Sequence, residues 1–530
     1  MKNKKQNILT MLVILFTLSL TVFVFCGCNF GKIVLQAPSN LQISGSILTW
    51  DKVENASGYI VSVNGSKKVV FLNEYDLSVL SEPDCYEIKV QSFYDNKEYS
   101  ASDWSQITEY TVEAKLEQNF EFAFYSTAHN NYSVTGIGTV TDNEIVIPSS
   151  YSGKPVVDIG YRAFENNVNI TKVTLPNTIE KIGPGAFSGC TSLESIQLPN
   201  NDKLYIRVGA FENTGLKSLT IPDNISRVDS CIINCLNLEY IKLPNSMTML
   251  TAQFFYNTPK LTSVTLPDSL TEISSSAFTG SSIESVKIPK KVTQIGENAF
   301  ESSIVSSVEF EEGSELTSIA KRAFIHCDNL KSIVIPTGVK TIGYDAFSDC
   351  DNLKSVTFEE NSQLESLYSI FNHTYLTEIT IPRSVTIIGN CVFDGMSTLK
   401  TVRIEDNSEL EYLGSAVFRN CSNLTTIDLG KNSKLYYIEG NTFENCTNLT
   451  SIELPSTLRT IGSQTFAGCL AIKSIVIPAS VKYMYDSVFF GWSKDQTIYI
   501  ENLTQKPTGW YTTWFDDSEA TVVWKYKKST

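Results

Sequence analysis

Histidine is nearly missing from this chain: His129, His326 and His373 are the only three in 530 residues. That scarcity leaves no His-Glu-x-x-His zinc signature and no set of imidazoles for a metal centre. There is no Gly-x-Ser-x-Gly elbow and no P-loop, so nucleophilic and phosphoryl-transfer chemistry has no motif to stand on. The 12 cysteines include no Cys-x-x-Cys, and no Cys/His cluster has metal-site spacing. No cofactor and no enzymatic activity are therefore expected. Bases are in the minority: 42 Lys and Arg against 57 Asp and Glu leave a net charge of −15. Phosphate contacts need clustered Lys and Arg, so a nucleic-acid partner is not expected. Tryptophan is missing between Trp104 and Trp492, and only one stretch, Ile8 to Phe25, is long and apolar.

That stretch reads as an export segment. Lys2, Lys4 and Lys5 precede it, and Gly27-Cys28 closes it. The Gly27-Cys28 junction resembles the end of a bacterial lipobox, which implies that Cys28 is the lipidated residue after a signal peptide over 1–28. Phe25 departs from that pattern, which usually has an aliphatic residue there. A plain cleaved signal peptide and an uncleaved signal anchor are the alternatives, since 18 residues make a marginal span. In each case the basic flank stays inside and the rest of the chain is exported. The expected location is the outer face of a bacterial cell membrane, lipid-anchored, or else secreted or signal-anchored.

After a short linker over 29–36, residues 37–114 carry period-2 apolar runs. These are Ile47 to Trp50, Tyr59 to Val63 and Tyr86 to Val90, with Asn64-Gly65 as a hairpin turn. Several short strands in under 90 residues predict a β-sandwich. Trp50, Tyr59, Leu80, Tyr86, Trp104 and Tyr110 to Val112 resemble the pattern of a fibronectin type III module. That resemblance implies a spacer or weak binder. Cys85 is expected to be buried or inert.

From Phe164 to Phe489 the chain beats. Phenylalanine stands at 164, 187, 211, 255, 278, 300, 324, 347, 371, 393, 418, 443, 466 and 489, with Ile232 filling one slot, at steps of 21 to 25 residues. A fixed period of this size means one small unit stacked many times, a solenoid. In Leu330 to Asn352, Leu330, Ile333 and Ile335 face inward by period 2, and Pro336 ends the strand because it lacks an N–H. Val339 and Ile342 bury the return, Gly343 is expected to permit a tight turn, and Ala346 makes room for Phe347. Eleven of the 17 prolines fill the Pro336 slot. Four units replace it with Glu311-Glu312, Glu359-Glu360, Glu405-Asp406 and Gly430-Lys431. Carboxylates on alternate turns could share cations; solvated turns are the simpler expectation.

Most cysteines obey the same period. Cys190, Cys235, Cys327, Cys350, Cys421, Cys446 and Cys469 each stand three residues after a slot. Cys is a good small buried hydrophobe, so a ladder of free thiols is expected, although a stacked pair such as Cys327 and Cys350 has the reach to bridge. The unit as a whole resembles the BspA-like leucine-rich repeat family across residues 144–500. The resemblance implies caps over 115–143 and, Trp-rich, over 501–530. The expected fold is thus mainly β: a leucine-rich-repeat solenoid of about fifteen 23-residue units behind a fibronectin type III-like β-sandwich.

Outward strand positions are where recognition has room to vary. The first is Ser or Thr in twelve of fifteen units, a usage that suits exposed, closely packed strands. The second varies, and its candidates for a binding face are Lys242, Lys287, Glu309, Arg403, Asp428, Glu453 and Tyr499. The family resemblance implies an adhesin-like surface protein with an extracellular protein partner. A glycan ligand, through a glycan-binding or glycan-processing accessory role, is the first alternative. A surface scaffold without a ligand is the second. Few outward aromatics, Tyr240 and Tyr499, weigh against glycan binding.

Overall fold

The structure is a computed structural model that describes residues 33–80, 84–94, 99–112, 119–126 and 130–527. The export segment with Cys28, and His129, lie outside the described residues. Contacts divide the chain after Gln118 into two units.

The first unit is built of one short parallel pair, Ile33–Val34 with Tyr99–Ser100, and two small antiparallel sheets. One orders Gln42–Ser44, Ile47–Thr49 and Glu74–Asp76; the other orders Ser66–Val70, Gly58–Val63, Asp84–Phe93 and Thr108–Val112. Val63 pairs with Ser66, so Asn64 and Gly65 alone make the hairpin turn. Both have positive φ, 45° and 86°, as a two-residue turn matched to strand twist demands. The two sheets share one core of Leu48, Trp50, Val53, Tyr59, Val61, Leu77, Ile88 and Val90. Trp50 meets Tyr59 edge to face at 5.2 Å, and the Tyr59 hydroxyl accepts the Val53 N–H at 3.0 Å. Cys85 differs from expectation: it is exposed. Successive strand residues face opposite sides, so with Ile88 inward Cys85 points out.

The second unit is a parallel β-solenoid of about seventeen turns with repeats of about 23 residues. That exceeds the phenylalanine slots because a coil without a slot stands at each end. At the start Asn131–Gly136 pairs with Lys154–Ile159, and at the finish Thr521–Tyr526 pairs with Thr497–Glu501. Most coils give one longer strand and one of two residues; the coils of Val264 and Ile452 keep only the short one. Ser332–Ile335 alternates exposed and buried, with Ile333 and Ile335 inside. It pairs in parallel with Ser355–Phe358, Ile333 opposite Val356, so like positions stack on like. The short strand Thr341–Ile342 buries Ile342 in the same way.

Gly343 has a different reason from the tight turn the sequence suggests. A Cβ there would sit 2.3 Å from the Lys321 backbone nitrogen of the coil before. Glycine is required because two backbones approach, and no positive φ is involved.

The phenylalanine rings form one column. Phe278, Phe300 and Phe324 stack at 4.7 and 4.9 Å, 10° and 6° from parallel. The column closes on Phe120 at one end, edge-on to Phe164 at 6.1 Å. At the other end it closes on Trp492 and Trp514 around Phe489, at 4.9 and 6.0 Å. Trp492, Trp510 and Trp514 are buried, so they cover the open end of the core rather than offer rings to a ligand. At Ile232 the column is interrupted. Phe254, in the slot that is usually Ala, is fully buried and packs edge-on to Phe255 at 4.9 Å, restoring ring volume beside the shorter side chain.

Truncating the centre of this column should cost a typical buried-ring penalty. Phe300→Ala is expected to lower unfolding free energy by about 3–5 kcal/mol and Phe300→Leu by clearly less. Urea denaturation followed by circular dichroism measures both. A loss below about 1 kcal/mol for the alanine variant would show that the rings are not what binds coil to coil.

Candidate binding faces

The longer strands place the variable column on one face. Lys242, Lys287, Glu309, Arg403, Asp428 and Glu453 are all exposed there, and Tyr499 is half-buried. Register brings some of them together: Lys287 stands opposite Glu309, and Arg403 opposite Asp428. Others are engaged within the fold. Lys242 Nζ lies 2.9 Å from Asp223 Oδ2, Lys287 Nζ 2.9 Å from Glu311 Oε1, and Tyr499 packs on Tyr526 at 4.5 Å. The column is therefore a chain of neutralised neighbours rather than a block of one sign. Arg403 stands opposite Asp428 but makes no ion pair among the described residues, so it is the column's most available cation.

The acidic turns are structural. The carboxylates of Glu311, Glu359 and Glu405 accept the backbone N–H of Lys290, Thr337 and Arg383 at 3.0, 2.9 and 3.0 Å. Each acceptor replaces the turn proline of its own unit and caps the residue after the proline one coil back. Asp406 works in the other direction, accepting the Lys431 N–H of the following coil at 2.9 Å. The Lys287 ammonium first, and the Lys290 N–H second, hold the Glu311 carboxyl below its usual range. Oxygens spent in this way leave a weak case for shared cations.

The histidines are explained by backbone conformation. The residue two after the slot has positive φ in every unit, from Asn166 to Gly491, and His326 and His373 both hold 56° there. Asn, Asp, His and Gly tolerate that left-handed region best. His373 Nδ1 sits 2.8 Å from Asp349 Oδ1 of the coil before, in the same column.

The thiols line the inside of this turn. Cys190, Cys235, Cys327, Cys350, Cys421, Cys446 and Cys469 donate S–H to the carbonyl of the phenylalanine one coil back, at 3.0 to 3.1 Å. In the coil of the last slot the Trp492 indole N–H takes the role, to Phe466 O at 2.8 Å. All seven cysteines are free and buried.

The second sheet holds what sequence reasoning missed. In most units the slot stands five positions after the buried end of the short strand, as from Ile342 to Phe347. Two units are one residue shorter: Val228 to Ile232 and Leu367 to Phe371. The short-strand sheet breaks beside those two, between Arg227–Val228 and Met249–Leu250 and between Thr341–Ile342 and Ser366–Leu367. Each break accompanies a groove. The one near Leu367, about 570 Å³, is lined by Tyr344, Tyr368, Ser369, Ile387, Gly389, Asn390, Glu411, Tyr412 and Tyr436. The one near Val228, about 360 Å³, includes Ile225, Arg227, Met247 and Met249. The sequence reading looked for outward aromatics only on the longer strands, and the groove tyrosines stand on the other sheet. The shortened interval before Phe371 was the available signal.

Residues 157–283, 248–367 and 365–496 match the family described as BspA type leucine rich repeat region, with six copies. Among solved structures the chain is similar to a leucine-rich repeat protein from Bacteroides ovatus, at 23% identity. That match covers 76% of this chain and 98% of that one, with a TM-score of 0.48. It is also similar to a leucine rich cell surface protein from Faecalibacterium prausnitzii, at 22% identity, 79% and 96% coverage and a TM-score of 0.31. A third is the pneumococcal vaccine antigen PcpA, at 16% identity, 77% and 97% coverage and a TM-score of 0.30. No curated protein matches.

Burial raises the thiols first of all, to about 12 for Cys190, Cys350, Cys421 and Cys469. Below the ordinary thiol value of about 8.5 both folded and unfolded chains keep the proton. Above it only the unfolded chain ionises, so stability falls as pH rises toward the folded value. Maleimide should therefore leave these four unmodified in the native chain from pH 7 to 9. The urea midpoint should drop between pH 8 and 10, and by less in a variant with all four changed to Ala. Native labelling at pH 7, read by peptide mass spectrometry, would contradict the buried ladder.

Proposed function

Because the chain belongs to the BspA-type leucine-rich repeat family, through a solenoid that the family covers over 157–496, we propose that it is an exported bacterial surface protein that binds extracellular proteins in an adhesin-like way. The observation that carries this reading is the exposed column of the longer strands. Its neighbours are a near-constant Ser or Thr and a buried Ile or Val, so the column is where side chains vary without cost to the coil. Arg403, Asp428, Glu453 and Lys242 supply the polar contacts of this surface. Such alternating charges favour register and selectivity over raw affinity.

The organisation follows: an export segment over 1–28 lipidated at Cys28, a linker over 29–36, and a fibronectin type III-like spacer over 37–114. The solenoid spans 144–500 between caps at 115–143 and 501–530. The three-plus-four strand arrangement of the first unit, with Trp50 against Tyr59, supports the spacer. Eight linker residues reach less than about 30 Å even when extended, so the spacer starts close to the membrane.

Capture of matrix and plasma proteins on the immobilised chain, beside a glycan array, tests the binding. Saturable protein binding is expected, weakened roughly tenfold by combined Lys242→Glu, Lys287→Glu and Arg403→Glu, with Arg403→Glu the largest single effect. Binding confined to glycans would sink the protein-binding reading. For the anchor, bacteria fed labelled palmitate should incorporate it into the chain and not into Cys28→Ala; equal labelling of the two would refute lipidation at Cys28.

A further inference from the structure

The groove beside Leu367 has a composition that specifies more than its size. The unit shortened before Phe371 has lost the glycine that its neighbours carry, and Tyr368 takes that place. Its ring swings over the next coil: a Cβ on Gly389 would lie 2.3 Å from Tyr368 Cδ1. Tyr344, on the coil before, lies 6.0 Å away and tilted by 46°. Across the groove stand Tyr412 and Tyr436. Tyr344 and Tyr436 are 56% and 44% exposed, so the rings on both sides are reached from solvent. The coil between the two pairs carries Ile387, Gly389 and Asn390, which leaves a gap in an otherwise aromatic row.

The polar atoms are already sorted. Asn390 Oδ1 accepts the Ser415 N–H at 2.8 Å, and the Tyr412 hydroxyl donates to Glu439 Oε1 at 2.9 Å. Glu411 is the only charged residue lining the groove. Its backbone bonds place it between Thr386 and Tyr436 in one column, so both neighbours are neutral. Lys434, on the following coil, is engaged by Glu409. Among the described residues Glu411 has no ion pair, and a carboxylate that lines a groove with four tyrosines is a setting for a bound cation. A sugar would instead call for several convergent donors and acceptors, and two of those on hand are taken.

We propose that this groove receives an arginine side chain from a protein partner, its guanidinium lying against the tyrosine rings and paired with Glu411. The assignment rests on the protein-binding reading and names the chemistry of one contact. Arginine suits it better than lysine because a planar group can stack on a ring and meet a carboxylate side-on at once. The chain's net charge of −15 favours the same kind of partner.

Saturation-transfer NMR on the full chain in mild detergent tests this, with Nα-acetyl-arginine amide as the probe. The neutral isostere Nα-acetyl-citrulline amide and a gluco-oligosaccharide serve as comparators. Saturable transfer to the arginine side-chain protons is expected, with citrulline at least about fivefold weaker. Glu411→Gln, which keeps an acceptor but removes the charge, should abolish the difference; Ile387→Trp, which fills the gap, should abolish binding. Circular dichroism checks that both variants fold. Equal arginine and citrulline signals, or an arginine signal unchanged in Glu411→Gln, would overturn the proposal. So would transfer to the oligosaccharide alone. Protein capture without any arginine signal removes this assignment and leaves the surface-binder reading standing. An arginine signal in a chain that captures no protein supports the groove chemistry and counts against the capture reading.

Discussion

Everything in the solenoid depends on one backbone arrangement at the phenylalanine turn. The slot N–H donates to the carbonyl just before the next slot, as from Phe300 to Ala323 at 2.7 Å. The residues two before and two after do likewise, from Asn298 to Lys321 at 3.2 Å and from Ser302 to Ile325 at 3.0 Å. Both flanking residues are left-handed, at 58° and 54°. Alternating handedness points these three N–H groups the same way along the stack. Buried backbone polar groups must be paired, so each coil can close only when another coil stands in register above it. Ring stacking, the thiol ladder and the preference for Asn and Gly are consequences of that demand.

The thiols show how far one constraint reaches. The phenylalanine carbonyl already accepts an N–H three residues on, as from Cys327 to Phe324. It has a second lone pair facing the next coil. A small side chain with a weak donor fits there, which is why Cys alternates in this slot with Thr214, Thr258 and Thr374. Those threonines bond their own coil's phenylalanine carbonyl at 2.8 to 3.0 Å. An exported chain rich in cysteine would ordinarily suggest disulfides; here the geometry gives each of the seven ladder thiols an acceptor in place of a second sulfur.

Much of this was legible from the sequence because a repeat averages out local ambiguity. A single Ile-x-Ile-Pro run is a weak strand signal, but eleven prolines in one slot fix the strand end. The inward Leu330, Ile333 and Ile335 and the outward Arg403 and Asp428 fall where period 2 puts them. What stayed hidden depended on relations between coils. The need for Gly343 comes from the Lys321 backbone of the coil before. The turn carboxylates look like a cation site in one dimension, and only stacking shows Glu359 facing the Thr337 N–H. Burial was the wrong expectation for Cys85, because its side of the strand is set by Ile88 three residues on, which faces the core.

The groove is the opposite case, a departure from the repeat that the repeat itself makes visible. A solenoid with perfect units has no cavities, since every coil fills the space left by its neighbour. Losing one residue between Leu367 and Phe371 cannot be absorbed along the strand, where a slip would turn the buried side out. It is absorbed across the stack: the short-strand sheet parts, Ile370 takes the Ala slot and is buried, and Tyr368 is expelled onto Gly389. The same shortening before Ile232 opens the other groove with a different lining, of methionine and arginine. Irregularity in such a fold places a concavity, while the residues around it choose the chemistry. In this family of stacked coils the shortened units are accordingly where to look for a ligand, before any conspicuous side chain is considered.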